Sequence, residues 1–315
     1  MKNQRLSERL HGIWPVMVTP YNEELEIDLP AYRAMIEWYI EKGCHGLYAL
    51  CLSSEMYNLT RTEQMLLVKE ALKINAGRVP IAVTGNLGAS LQEELSFASS
   101  MHELGADVVM LTVPPQLSSN VELRNYFMEF VNKTDCNLGL YECPYPRQFH
   151  LSLELITQLV ETGRFYAFKE TSCNIDKINA IIQILKDSPL SLMQANIPFF
   201  LDAQIAGADG SMNVVANWLP DLVIDIYEKI KTGNIEEASL LHLQLCAMEM
   251  AQRSVHPTGV KYLMSKRGLP IKPHTRLPQK LSSEERKALD LATKLWFNPD
   301  GTFRTLVTES TILAS

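Results

Sequence analysis

Eight short apolar runs, each followed by a longer polar-apolar stretch, constrain this chain more than any other feature. The runs fall at 13–18, 46–51, 80–84, 106–113, 137–141, 165–169, 190–194 and 210–214. Their length and all-round apolar character suit parallel strands buried on both faces. Between them, 29–42, 61–75, 91–104, 121–131, 153–160 and 175–186 carry apolar residues three and four apart, the pattern of one-sided helices. Eight strand–helix alternations predict a closed (β/α)8 barrel of the TIM type. A doubly wound sheet is the competitor, but no Gly-x-Gly-x-x-Gly follows the first run.

Punctuation supports these boundaries. Asp28-Leu29-Pro30 and Thr60-Arg61-Thr62-Glu63 read as helix starts, the second with a Glu placed to close a capping box. Gly43, Gly77 and Gly105 follow helical stretches, where a left-handed residue ends a helix. The barrel is expected to occupy 1–233. Residues 234–315 are expected to form a C-terminal helical extension, with helices at 235–253, 260–266 and 283–295 and a proline-rich connection at 270–278.

Composition narrows the partners. A net charge of −7 disfavours nucleic acid and anionic membrane. No apolar run reaches the roughly 18 residues of a membrane span. The opening MKNQRLSERL has charges without an apolar stretch behind them, so no signal peptide is read there. Six scattered cysteines without a Cys-x-x-Cys pair read as reduced thiols, which suits a cytoplasmic protein. His150, His242, His256 and His274 lack metal-ligand spacing, so no metal is expected.

In a parallel barrel, reacting side chains close the C-terminal ends of strands. The fifth run ends on Tyr141 and the sixth on Lys169. A lysine in an apolar barrel mouth has its ammonium form disfavoured. The neutral amine can attack a carbonyl to form an imine, with a nearby phenol moving protons. The alternative is structural: Lys169 paired with Glu170 or another carboxylate, and Tyr141 a core residue with its hydroxyl satisfied.

These residues resemble the dihydrodipicolinate synthase / N-acetylneuraminate lyase superfamily of pyruvate class I aldolases, from about residue 12 to 281. Gly12-Ile-Trp-Pro-Val-Met-Val-Thr-Pro20 is similar to its opening strand. Tyr141-Glu-Cys-Pro144 is similar to its Tyr-Asn-x-Pro motif, and Phe168-Lys-Glu-Thr-Ser172 to its lysine motif. Gly207-Ala-Asp-Gly210, Lys261, Gly268-Leu269 and Arg276-Leu-Pro278 follow in the family's order. The resemblance implies that Lys169 forms an imine with pyruvate or another 2-oxo acid and that Tyr141 relays protons. It implies that the Met212 carbonyl sits beside the tyrosine. It further implies no metal or cofactor, and a homodimer or homotetramer.

The chain departs from that pattern in four places. Where the family carries adjacent hydroxyls for the 2-oxo acid carboxylate, this chain has Cys51-Leu52-Ser53-Ser54-Glu55, so Ser53 and Ser54 are the remaining candidates. Glu55 reads as a structural hydrogen-bonding residue. Pro114-Pro115-Gln116 replaces the segment that sends a tyrosine across the dimer, which implies a truncated relay. Ala195-Asn196-Ile197 replaces acidic residues that hold sugar hydroxyls. Asn196 remains a polar candidate, and Ile197 favours a less hydroxylated aldehyde half. Arg147 falls one position beyond the family's carboxylate-binding arginine.

The expectation is therefore a Schiff-base lyase or aldolase acting on a small-molecule 2-oxo acid and an aldehyde, neither the lysine-pathway substrate nor sialic acid. Two alternatives remain: a sugar-acid dehydratase using the same imine, or a non-catalytic metabolite-binding barrel.

Overall fold

The computed structural model describes residues 6, 9–253, 255–298 and 302–306. Most of the opening stretch read for a signal peptide, and the last residues of the C-terminal extension, lie outside the described residues. The strands are β1 (Gly12–Ile13), β2 (Leu47–Leu50), β3 (Ile81–Thr84), β4 (Val108–Thr112), β5 (Leu138–Tyr141), β6 (Phe165–Glu170), β7 (Ser191–Gln194) and β8 (Gly210–Ser211). All pair in parallel, in the order β1-β8-β7-β6-β5-β4-β3-β2. A parallel bridge from Val16 to Tyr48, with Met17 N–H donating to the Tyr48 carbonyl at 3.0 Å, joins the ends into a (β/α)8 barrel.

The barrel helices are α1 (Leu29–Glu41), α2 (Arg61–Asn75), α3 (Leu91–Leu104), α4 (Asn120–Lys133), α5 (Leu153–Val160), α6 (Ile175–Leu185), α7 (Phe200–Ala206) and α8 (Pro220–Lys231). The capping box at α2 forms: Thr60 Oγ1 accepts from Glu63 N–H, and Glu63 Oε2 accepts from Thr60 N–H at 2.8 Å. Asp28 caps α1 by accepting from Ala31 N–H.

Two strands are shorter than their apolar runs. Pro15 has no N–H to donate, so regular pairing in β1 stops before it. At β8 the Asn213 side chain accepts from Ala216 N–H at 2.8 Å and turns the chain into a 3-10 segment, Val215–Asn217. β1 and β8 also approach closely: a Cβ on Gly210 would lie 2.1 Å from the Gly12 carbonyl oxygen, so only glycine fits. Helices α7 and α8 were not singled out from the sequence. The first is only seven residues long and follows an apolar stretch, Ile197–Phe199, that hides its period.

Helices α9 (Ile235–Arg253), α10 (Thr258–Lys266) and α11 (Ser283–Trp296) follow. They join the barrel's packing. His242 on α9 hydrogen-bonds the Ile197 carbonyl at 2.7 Å, and Arg267 donates to the Trp218 carbonyl at 2.9 Å. Lys261 on α10 reaches Glu55 at 2.7 Å, both side chains fully buried. No helix among the described residues is long and apolar enough to cross a membrane.

Candidate active site

β5 and β6 lie in register with Tyr141 opposite Lys169, so both side chains emerge together at the C-terminal end of the barrel. Lys169 Nζ sits 4.2 Å from the Tyr141 ring centre and 5.5 Å from that of Tyr48. Tyr48 meets Tyr141 edge to face at 5.8 Å, and its hydroxyl is hydrogen-bonded to Thr84 Oγ1 at 2.9 Å. Among the described residues Lys169 has no carboxylate partner. Glu170, the sequence's nearest alternative, instead accepts from Gln194 Nε2 at 2.8 Å and Ser172 N–H at 2.5 Å. Burial without a counter-ion pushes the Lys169 ammonium below the usual lysine range, which favours the nucleophilic free amine. Burial raises the Tyr141 phenol, keeping it protonated.

The loops behind this pair are tied down. Glu142 is fully buried and accepts from Leu151 N–H at 2.8 Å, Thr171 N–H at 3.2 Å and Lys177 Nζ at 3.2 Å. It thereby fastens the end of β5 to the turn after β6. Glu55 occupies a left-handed backbone position and accepts from Lys261 Nζ, Thr275 Oγ1 and Arg276 N–H. It is structural, as its sequence context suggested.

A cavity of about 340 Å³ opens over Lys169. Of the sequence-derived candidates, Lys169, Tyr141, Ser53, Asn196 and Met212 line it. The Ser53 hydroxyl has no hydrogen-bond partner among the described residues, whereas the Ser54 hydroxyl donates to the Met17 and Ala49 carbonyls and does not line the cavity. Arg147 is also absent from the lining. Its guanidinium donates to the Leu117 carbonyl at 2.6 Å and stacks over Phe149.

Ile197, from which a less hydroxylated aldehyde half was inferred, does not itself line the cavity. It is buried in the core, 1 % exposed. Glu249, Gln252 and Arg253 of α9, with His256 just beyond it, supply part of the wall. Sequence reasoning missed them because it sought chemistry at strand ends, and these come from a helix outside the strand–helix repeat. Their polar spacing at 249, 252, 253 and 256 was the available signal.

A second phenol was also missed. Tyr57 places its hydroxyl beside Thr112 and the Cys143 thiol, and Cys143 is in turn beside the Tyr141 hydroxyl. Tyr57 as a whole is 42 % exposed, and desolvation of its phenol raises it above the usual tyrosine range. Its ring packs on Tyr145 at 5.7 Å. Among the described residues no cluster of three His, Cys, Asp or Glu could hold a metal ion.

The chain matches the Dihydrodipicolinate synthetase family over residues 9–294. It is 29% identical over 288 residues to 4-hydroxy-tetrahydrodipicolinate synthase 1 of Halalkalibacterium halodurans, covering 90% of this chain and 96% of that protein. It is 26% identical over 282 residues to an uncharacterized DapA-like lyase of Pyrococcus horikoshii, covering 88% and 96%. Its fold is that of YagE, an E. coli K12 prophage protein solved in complex with pyruvate, with a TM-score of 0.84, 19% identity, and 90% and 98% of the two chains covered.

Proposed function

The chain belongs to the dihydrodipicolinate synthetase family, and on that premise we propose that Lys169 forms an imine with pyruvate or a closely related 2-oxo acid to make or break a carbon–carbon bond. Membership makes it a lyase or aldolase of the pyruvate Schiff-base class. One observation carries the assignment to Lys169, namely a buried lysine with no counter-ion among the described residues, held against Tyr141 at the floor of the barrel-mouth cavity.

In this reading the neutral amine of Lys169 attacks the 2-oxo carbon, water leaves, and the imine draws electrons from the adjacent carbon so that it can be deprotonated. Tyr141 exchanges the protons. Ser53 donates to the 2-oxo acid carboxylate, and Leu52 leaves that cradle with one side-chain hydroxyl fewer than the family pattern. Tyr57 supplies a second phenol from the same chain, in place of a tyrosine from a partner subunit.

The substrate is proposed to be neither the lysine-pathway aldehyde nor sialic acid, because positions 52, 115 and 116 lack the polar groups those reactions use in the family pattern. The experiment is a pyruvate-release and pyruvate-consumption assay across aldehydes and 2-oxo acids. Turnover with a 2-oxo acid that depends on Lys169 is expected. Pyruvate binding with no turnover on any partner would instead mean a metabolite-binding barrel.

A further inference from the structure

The family match ends at residue 294, yet the chain continues into a segment built against the wall of the active-site cavity. Trp296 closes α11. Just beyond it Phe297 and Phe303 form an antiparallel bridge. Asn298 N–H donates to the Thr302 carbonyl at 2.9 Å, and Arg304 N–H to the Trp296 carbonyl at 2.8 Å. The Arg304 side chain reinforces this pairing by donating to Asn298 Oδ1 at 3.2 Å and to the Phe297 carbonyl at 3.3 Å.

Two contacts carry this segment to α9. In the first, the Gln244 side chain, 4 % exposed, donates from Nε2 to the Arg304 carbonyl at 2.8 Å and accepts at Oε1 from Leu306 N–H at 2.9 Å. A carboxamide carries the donor and the acceptor of a peptide group, so it grips the segment as a neighbouring strand would. In the second, the rings of Trp296 and Phe297 lie 5.7 and 6.3 Å from that of Trp218, centre to centre. Trp218 is fully buried and donates its indole N–H to Gln252 Oε1. Gln252 lines the cavity beside Glu249 and Arg253 of the same helix. The two contacts meet α9 about two turns apart and bracket Glu249. His242 separately holds α9 to the barrel at the Ile197 carbonyl. Losing the segment should therefore loosen the cavity wall without unfolding the helix.

We propose that residues 296–298 and 302–306 form a strap that positions the α9 wall of the cavity through Gln244 and Trp218. Gln244, Trp218 and Trp296 are then positioning residues for the part of a substrate that lies beyond the carbon held by Lys169. The substrate clause rests on the imine reading above, and the strap itself does not.

The test uses full-length Trp296→Ala and Gln244→Met, with Trp296→Phe as the conservative control, each checked by thermal unfolding. Hydrogen exchange read by mass spectrometry should speed up by about tenfold in peptides covering 244–253 of the first two variants. Exchange in β5 and β6 should match the parent, and Trp296→Phe should stay close to the parent throughout. Borohydride trapping supplies the functional readout. Pyruvate is short enough to stay at Lys169 and should half-saturate trapping at the same concentration in every variant. Phenylpyruvate carries a ring that extends towards the wall. It should need about threefold more or higher in the two loosened variants, because a mobile wall must be ordered on binding. Unchanged exchange at 244–253 in both variants, acceleration spread equally over β5 and β6, loss of folding in both, or an unchanged ratio between the two acids would each overturn the strap. No pyruvate adduct in the parent would overturn the imine reading instead, and the exchange rates would still decide the strap.

Discussion

Lys169 and Tyr141 are direct register partners on adjoining strands, and the lysine nitrogen stands 4.2 Å from the centre of the tyrosine ring. Two rigid strands therefore fix the proposed nucleophile and the proposed proton carrier, and neither depends on a loop for its position. The aromatic faces of Tyr48 and Tyr141 offer weak attraction to an ammonium but no hydrogen bond that would hold it charged.

Removing the phenol oxygen tests the proton role. Tyr141→Phe keeps the ring and its packing. Turnover should fall on the order of 10²-fold or more, with the thermal midpoint little changed. Turnover within a few-fold of the parent would make Tyr141 a packing residue.

Tyr57→Phe tests the second phenol. If Tyr57 shares proton traffic with Tyr141 through Cys143, kcat should fall by about tenfold or more, with a smaller change in KM. A variant indistinguishable in kcat would leave Tyr141 to act without it.

Trapping should depend on pH in a defined direction. The amine must be neutral to attack, and burial holds Lys169 below an ordinary lysine. The rate of borohydride-trapped adduct formation, corrected for reagent decay, should therefore rise with pH and level off below the roughly 10.4 of a free lysine. A profile still climbing through that value would show an unperturbed amine.

The Glu55–Lys261 pair makes a stability prediction. Glu55→Gln leaves a buried ammonium without its counter-charge and should cost about 3–5 kcal/mol in urea unfolding. Adding Lys261→Met should restore part of that loss. Burial lowers Lys261 to about 8 despite its partner, whereas the unfolded chain titrates near 10.4. Between these values the unfolded state binds more protons, so this group's contribution to stability grows as pH rises through the window and is lost as pH falls through about 8. A flat or opposite trend in the parent, absent in the Lys261→Met variant, would refute that assignment.

Substrate exclusion can be checked directly. Neither lysine-pathway synthase activity nor sialic acid cleavage should reach ordinary enzyme rates of about 1–10³ s⁻¹. Either activity at such a rate would mean that Leu52, Pro115 and Gln116 matter less than their chemistry suggests.

The strand–helix alternation was legible because apolar runs buried on both faces look unlike one-sided helices, and the capping box at Thr60 and Glu63 marked a boundary to the residue. Lys169 and Tyr141 were legible because position in a parallel barrel selects strand ends. What stayed hidden depends on contacts distant in sequence. Ser54 carries the same hydroxyl as Ser53, but only the fold turns it onto the Met17 carbonyl. The resemblance pointed to Asn196 and Ile197, of which only Asn196 lines the cavity, while part of the wall arrives from α9, about fifty residues later. Tyr57 follows a left-handed Glu55, and nothing local in sequence announced that turn.

The central claim is that Lys169 is the nucleophile. Reduction of the chain with borohydride in the presence of pyruvate, followed by peptide mass mapping, tests it most directly. The account predicts one reduced pyruvate adduct per chain, located on Lys169 and missing from a folded Lys169→Arg variant, whose guanidinium stays protonated. An adduct on another lysine, or equal trapping in that variant, would contradict it.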